Sequence, residues 1–165
     1  MFLDLNDDQI ALRDGLRALL EGRFGPARIR AGFDREMFDE LGEAGVFSLM
    51  ADGFSWADAT IVFEQLGEFC VPGPLVGSFL AADGRVVGVV DAAAAGEAAV
   101  IEHLDTLYAL AVVSDDAVRA VDPSTLAAEE LGWPLDPLSP VWRVGELPAG
   151  APWTGADAGE WRDRG

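Results

Sequence analysis

The chain contains a single histidine, and its neighbours make it the first candidate for acid–base chemistry. His103 lies in the segment Ile101-Glu102-His103-Leu104-Asp105, where the two carboxylates could hold its ring as an imidazolium or as a base. No HExxH, CxxC, GxSxG or Gly-rich phosphate-loop motif accompanies it, so neither Ser-His catalysis nor a metal site is expected. We therefore predict that His103 lies in a surface loop, and we assign no catalytic residue and no metal ligand.

Four arginines form the one basic cluster of the sequence. They are Arg23, Arg28, Arg30 and Arg35. A cluster of this kind could bind the phosphates of a coenzyme A tail. Its position between predicted helices favours the plainer interpretation, in which these side chains lie at solvated helix ends and in a loop.

Two glutamates and the single cysteine are the remaining candidates. Glu64 and Glu68 are predicted to lie on the polar face of a helix, surrounded by solvent. Cys70 follows Phe69 near the end of that helix, and we predict that it is a small buried apolar residue rather than a reactive thiol. A single cysteine also excludes an internal disulfide.

The 165-residue chain is strongly acidic, with 29 acidic against 11 basic residues and a formal net charge of −18. A field of this sign repels phosphate, so nucleic acid and membranes are not expected as partners. No apolar run approaches the roughly 18–20 residues that a bilayer span needs. The N-terminal residues lack the basic region of a signal peptide, and we expect a cytoplasmic protein.

The first helix has a clear beginning and end in the sequence. Asn6 and Gln9 have the spacing of a capping box, in which each residue binds the backbone of the other. Gly22 and the pair Gly25-Pro26 are predicted to end this helix.

Two further amphipathic helices are predicted, one over residues 34–44 and one that begins at Ser55 and ends near Cys70. The apolar residues of each helix recur at helical spacing. We therefore expect a small helical bundle over residues 4–82, within an N-terminal domain that spans residues 1–83.

Beyond residue 83 the pattern changes to short β-branched runs separated by turn residues, which is typical of strands. The runs cover residues 85–90, 98–102, 107–113, 117–121, 126–131 and 141–147. They predict an antiparallel sheet or partial barrel of about five strands in a domain over residues 84–147, followed by a loosely held tail over residues 148–165. The predicted fold class is α+β.

The end of the third helix carries a resemblance to a known family. The segments Glu64-Gln65-Leu66-Gly67-Glu68 and Val71-Pro72-Gly73-Pro74-Leu75 resemble the N-terminal helical domain of the acyl-CoA dehydrogenase family. Later segments are similar to parts of that family's middle β-domain. Residues 84–90 look like its first strand, residues 108–121 look like its central strand pair, and residues 135–144 look like the final segment that leads to the C-terminal helices. The resemblance implies a fold related to that of enzymes that use FAD and a glutamate base to oxidise the α,β bond of an acyl-CoA.

The sequence departs from the family at the places that carry its chemistry. The family's Thr-Glu-Pro, Gly-Ser-Asp and Lys-x-Trp-Ile segments have no counterpart between residues 90 and 98. The C-terminal helical domain, which supplies the catalytic base, also has no counterpart. Glu64, Glu68 and Glu160 do not occupy the position of that base.

These departures lead us to expect a truncated, non-catalytic subunit of a heteromeric FAD-dependent acyl-CoA dehydrogenase of fatty acid or steroid catabolism. Its partner would be a larger acyl-CoA dehydrogenase subunit or a second copy of the chain, and FAD would bind only together with a partner chain. The cofactor-binding residues are not assigned. Two alternatives remain: an FAD-binding acyl-CoA oxidoreductase that acts as a homo-oligomer, and a noncatalytic structural protein or decaying paralogue.

Overall fold

The computed structural model of the protein describes residues 4–92 and 98–153. By their contacts the residues fall into two compact units, Met1–Gly73 and Pro74–Gly165. Helices form the first unit, and two small sheets with one helix form the second, so the α+β class is confirmed. The three domains proposed from the sequence stay a prediction. Within the described ranges, no helix has the length and apolar character needed to cross a lipid bilayer.

The helices of the first unit are α1 (Asp7–Arg23), α2 (Pro26–Arg30), α3 (Arg35–Glu43) and α4 (Trp56–Glu68). Their apolar faces form a common core. Its most buried members include Leu16, Leu20, Phe24, Met37, Phe38, Leu41, Val62 and Leu66. Helix α2 is an addition to the predicted helices. The pair Gly25-Pro26 ends α1 as predicted, and the proline, which has no N–H group, also suits the first turn of a new helix.

The N-termini of α1 and α4 both carry capping boxes. The box at Asn6 and Gln9 and the beginning of α4 at Ser55 agree with the predictions from the sequence. Asn6 Oδ1 accepts a 2.9 Å hydrogen bond from the Gln9 amide, and Gln9 Oε1 accepts one of 3.2 Å from the Asn6 amide. Ser55 and Asp58 exchange the equivalent bonds at the start of α4. Each box satisfies backbone donors that the first turn of a helix leaves unpaired.

Helix α4 ends where predicted, but the prediction for Cys70 is wrong. Cys70 is exposed and has a φ of 53°. Its amide donates to the Gly67 carbonyl at 3.0 Å, and the Val71 amide donates to the Leu66 carbonyl at 3.0 Å. This is the left-handed C-terminal cap of a helix, and it turns the Cys70 side chain out to solvent.

The second unit begins with α5 (Leu75–Ala81) and continues as two sheets. The first sheet has the strand order β1-β3-β4-β7, with β1 at Val87–Asp91, β3 at Ala109–Val113, β4 at Val118–Val121 and β7 at Ala151–Pro152. The second has the order β2-β6-β5, with β2 at Ala99–Glu102, β5 at Ala128–Glu130 and β6 at Val141–Val144. Residues of both sheets share one core. That core includes Ala99, Ile101, Leu104, Leu110, Val112, Val121 and Val144.

The strand arrangement differs from the predicted antiparallel sheet of about five strands. The described residues form seven strands in two sheets, and one strand pair is not antiparallel. Strands β1 and β3 pair in parallel, whereas the other strand pairs of the described residues are antiparallel. The chain forms β2 in the second sheet between these two strands, and it therefore returns to the first sheet in the direction of β1. This long-range crossover leaves no local signal in the sequence.

Helix α5 packs closely on β1. Ser78 Oγ accepts a 3.0 Å hydrogen bond from the Val87 amide and donates one of 2.8 Å to the Pro74 carbonyl. A Cβ atom at Gly77 would lie 2.2 Å from the Val87 carbonyl oxygen. A side chain at that position is therefore excluded. Helix α5 belongs to the second unit by its contacts.

The predicted tail contains one paired stretch. Strand β7 pairs with β4, and the Trp153 amide donates to the Val118 carbonyl at 2.9 Å. Residues 154–165 lie outside the described residues.

Candidate functional site

The predicted arginine cluster is occupied by carboxylates of the same unit. Arg28 Nε and Nη2 donate to Asp34 at 3.0 and 3.1 Å, and its Nη1 donates to Glu40 Oε1 at 3.1 Å. The hydrogen bonds of this guanidinium lower the pKa of Asp34. Arg35 pairs with Asp39 at 2.9 Å. A phosphate group at this cluster would have to displace carboxylates that are already well placed.

Arg28 is also more enclosed than a solvated helix end would be. Its side chain is 23% exposed, and that of Glu40 is 13% exposed. The Arg28 guanidinium carbon lies 5.2 Å from the centre of the Phe24 ring. The residue therefore joins the ends of α1, α2 and α3.

The two glutamates of α4 line a groove of about 900 Å³ between α1 and α4. Glu64 and Glu68 are both exposed, as predicted for a polar helix face. Arg17 on α1 binds both carboxylate oxygens of Glu68, at 2.9 and 2.8 Å. The hydrogen bonds and charge of Arg17 lower the pKa of Glu68. A carboxylate held ionised in this way is a poor proton acceptor at neutral pH.

The surface-loop prediction for His103 is wrong. Its side chain is only 1% exposed, its φ is 53°, and its amide donates to the Pro140 carbonyl at 2.8 Å. Burial lowers the pKa of the imidazole, and the charges of Glu102, Asp105 and Asp136 oppose this shift. Ile101 and His103 are two residues apart, and that period of two was the signal for a shared inward face.

A cavity of about 430 Å³ in the second unit is lined by residues of both sheets. Its polar side chains are those of Ser114, Asp116, Arg119 and Glu146. Arg119 Nη1 donates to the Ala149 carbonyl at 3.3 Å. A flavin dinucleotide carries an anionic diphosphate, and two carboxylates against one arginine repel such a group. The described lining of this cavity therefore does not suit FAD.

A groove of about 620 Å³ on the other side of the second unit contains Arg85, Tyr108, Asp122 and Trp153. The Arg85 guanidinium carbon lies 4.6 Å from the Tyr108 ring centre and 5.8 Å from that of Trp153. Arg85 also pairs with Asp83. The two aromatic rings thus already bind a cation, and this contact joins the segments before β1 and β3 to Trp153.

The most exposed apolar side chains lie in the loop between β5 and β6. Trp133 is 97% exposed and Leu135 is 105% exposed. Among the described residues, the large apolar residues with the next highest exposure are Tyr108 at 61% and Val100 at 59%. We call Trp133, Pro134 and Leu135 the apolar tip. No sequence pattern distinguishes Trp133, because an apolar residue beside a strand is equally compatible with a position in the core.

The described residues do not form a candidate metal site. Residues 4–92 and 98–153 contain no group of three or more His, Cys, Asp or Glu side chains placed to hold an ion. Glu160 lies outside the described residues.

Comparison with solved structures identifies chains of similar fold. A chain of the crystal structure of the ChsE4-ChsE5 complex from Mycobacterium tuberculosis matches with a TM-score of 0.66 and 16% sequence identity, over 98% of this chain and 60% of that chain. The two chains share a fold. The present chain thus spans 60% of the length of the solved chain that it matches. No protein-family model and no curated protein matches the sequence.

Proposed function

We propose that this chain is an acyl-CoA dehydrogenase-like subunit with a structural role in a heteromeric flavoenzyme. In this proposal a larger partner subunit supplies the catalytic base and most of the FAD site. The present chain contributes its two structural units to the assembly. The substrate is a fatty or steroid acyl-CoA.

The observation that carries the proposal is the fold similarity to one chain of a complex between two named proteins, which covers 98% of this chain. The acyl-CoA dehydrogenase resemblance supports the same assignment. Its segments 64–68 and 71–75 lie at the end of α4 and the start of α5, so the resemblance concerns a helix end and the turn after it.

The charges of the candidate sites support a role without catalysis by this chain alone. Arg17 holds Glu68 ionised, and Arg28 does the same for Asp34. The cavity that contains Arg119 presents Asp116 and Glu146 as well. A flavin site needs polar groups that converge on the ring and the phosphates, and the arginines of these sites already bind protein groups.

Thermal melting of the chain with and without its partner tests the proposal. The probes are FAD and an acyl-CoA, added in large excess to the chain alone and to the chain co-expressed with each acyl-CoA dehydrogenase-like protein of its source genome. We expect no change in melting temperature for the chain alone and a rise of several degrees for one complex, because a ligand stabilises only the state that binds it. A rise for the chain alone would favour the homo-oligomeric flavoenzyme instead.

A further inference from the structure

The apolar tip exposes a tryptophan and a leucine that the other described residues do not cover. Tryptophan is a largely buried residue type, and in this chain Trp133 and Leu135 are exposed by 97% and 105%. Tryptophan is also enriched among residues that dominate the energy of protein–protein interfaces. An exposed pair of this kind is typical of a contact site for another molecule.

The loop that carries the apolar tip is ordered rather than loose. Its base is closed by a 2.8 Å hydrogen bond from the Leu131 amide to the Val141 carbonyl. Asp136 then accepts bonds from the Leu138 amide at 2.9 Å and from the Ser139 hydroxyl at 3.0 Å. These bonds restrain the loop on both sides of the apolar tip, which lowers the conformational entropy that docking would cost.

Prolines restrict the same loop further. Pro134 lies within the apolar tip, and Pro137 and Pro140 follow it. Each fixes its own φ and limits the residue before it. The tip is therefore preorganised for contact.

Strand addition is a poor alternative for this region. Strand β5 is at the edge of its sheet, and Glu129 and Glu130 of that strand are exposed. Exposed charges on an edge strand disfavour pairing with another strand. Recognition here would therefore use the side chains of the tip and not its backbone.

The charges around the apolar tip indicate what could cover it. Glu130 lies three residues before Trp133, and Asp136 directly follows Leu135, and both are exposed. Each copy of the chain also carries a net charge of −18. A second copy would bring the same acidic groups to the contact, and an anionic lipid surface would also be repelled. A basic rim on a different protein would be attracted.

We propose that the apolar tip inserts into an apolar cleft of a different protein subunit, and that arginine or lysine side chains at the rim of that cleft face Glu130 and Asp136. This inference rests on the proposed function, because the subunit meant is the larger acyl-CoA dehydrogenase-like partner. The tip is then the anchor of the interface, and the two acidic residues set its orientation and the rate of association.

The test compares W133S/L135S with the control V100S, in which an exposed apolar residue of the same sheet is changed. Val100 is on β2 and is 59% exposed. Each acyl-CoA dehydrogenase-like protein of the source genome serves as the probe in a binding titration. We expect the double variant to bind the partner at least about 50-fold more weakly, as for interface anchors, while V100S binds like the wild type. Equal melting temperatures of the three proteins would establish that folding is unaffected.

A charge variant tests the rim separately. Glu130→Lys is expected to slow association roughly tenfold at low salt, with the difference disappearing at high salt. An unchanged rate at low salt would contradict the basic rim.

The remaining outcomes distinguish this inference from the proposed function. If the double variant binds the partner as tightly as the wild type, the apolar tip is not the anchor, while the proposed function stands. If the wild type binds none of the probes, both are overturned. Self-association of the wild type that is lost in the double variant would assign the tip to a second copy. Binding to phosphatidylglycerol-containing vesicles that is lost in the double variant would assign it to lipid.

Discussion

Gln9 of α1 donates a 2.9 Å hydrogen bond from its Nε2 to Asp58 Oδ1 of α4. Both residues are already part of the capping boxes that begin their helices. The bond therefore joins two helix N-termini that are 49 residues apart in the sequence. It fixes the positions of α1 and α4, which together form the groove that contains Glu64 and Glu68.

Replacement of Gln9 separates the capping role from the link between the helices. Gln9→Ala removes both the capping bond to the Asn6 amide and the link to Asp58, and it should lower the melting temperature by roughly 3 °C. Gln9→Glu keeps an acceptor for the Asn6 amide but places a carboxylate against Asp58, so it should also be less stable than the wild type. Thermal denaturation followed by circular dichroism provides the comparison. A Gln9→Glu protein as stable as the wild type would show that the link to Asp58 contributes nothing.

Gly77 tests the packing of α5 on β1. Because a Cβ atom there would lie 2.2 Å from the Val87 carbonyl oxygen, Gly77→Ala should reduce the free energy of unfolding by at least about 2 kcal/mol. The control is Gly67→Ala in α4, where no atom other than those of its chain neighbours and its own helix backbone lies within 4 Å of the added Cβ. It should be neutral or stabilising by roughly 0.5–1 kcal/mol. Urea denaturation measures the free energy of unfolding of both variants. Similar values for Gly77→Ala and Gly67→Ala would contradict the close contact between Gly77 and the Val87 carbonyl.

Arg28 tests the junction of α1, α2 and α3. Arg28→Ala removes the cation that binds the half-exposed carboxylate of Asp34 and the largely buried carboxylate of Glu40. It should cost about 1–2 kcal/mol in unfolding free energy, because solvent screens the Asp34 part of the interaction. Arg28→Lys should recover only part of this, because an ammonium group cannot bind both carboxylates in the same geometry. Arg35→Ala removes an exposed pair and should cost less than about 1 kcal/mol. Equal stability of the lysine variant and the wild type would contradict the role of the guanidinium geometry.

The burial of His103 should make the free energy of unfolding depend on pH. Burial lowers the pKa of its ring in the folded protein, so the unfolded chain binds the proton more readily. Stability from this residue is therefore present above its usual pKa of about 6.5 and is lost as the pH falls below that value.

The variant His103→Asn isolates this effect, since asparagine tolerates the left-handed backbone that His103 adopts. Urea unfolding of both proteins from about pH 7.5 to about pH 5.5 should show a steeper loss of stability for the wild type. Parallel curves would mean that the ring does not titrate differently in the folded and unfolded states.

Local features of this fold could be predicted from the sequence. The caps at Asn6 and Ser55 and the end of α4 follow rules that act within four or five residues. Strand positions were found for the same reason, because turn residues and β-branched runs mark them.

Features that depend on distant contacts could not be predicted in this way. The parallel pairing of β1 and β3 depends on a crossover, and the burial of His103 depends on what covers its strand. Cys70 follows an apolar residue on a helix, yet the left-handed cap turns it to solvent. Trp133 was missed because hydrophobicity alone does not tell a core residue from an exposed anchor.

The most direct test of the central claim is size-exclusion chromatography with multi-angle light scattering and simultaneous measurement of the visible flavin absorbance. The chain is run alone and then co-expressed with each acyl-CoA dehydrogenase-like protein of its source genome. The account predicts a colourless species when the chain is run alone. It also predicts that one of the co-expressed proteins elutes together with the chain in a larger, yellow peak. A yellow homo-oligomer of the chain alone, or no co-eluting partner at all, would contradict it.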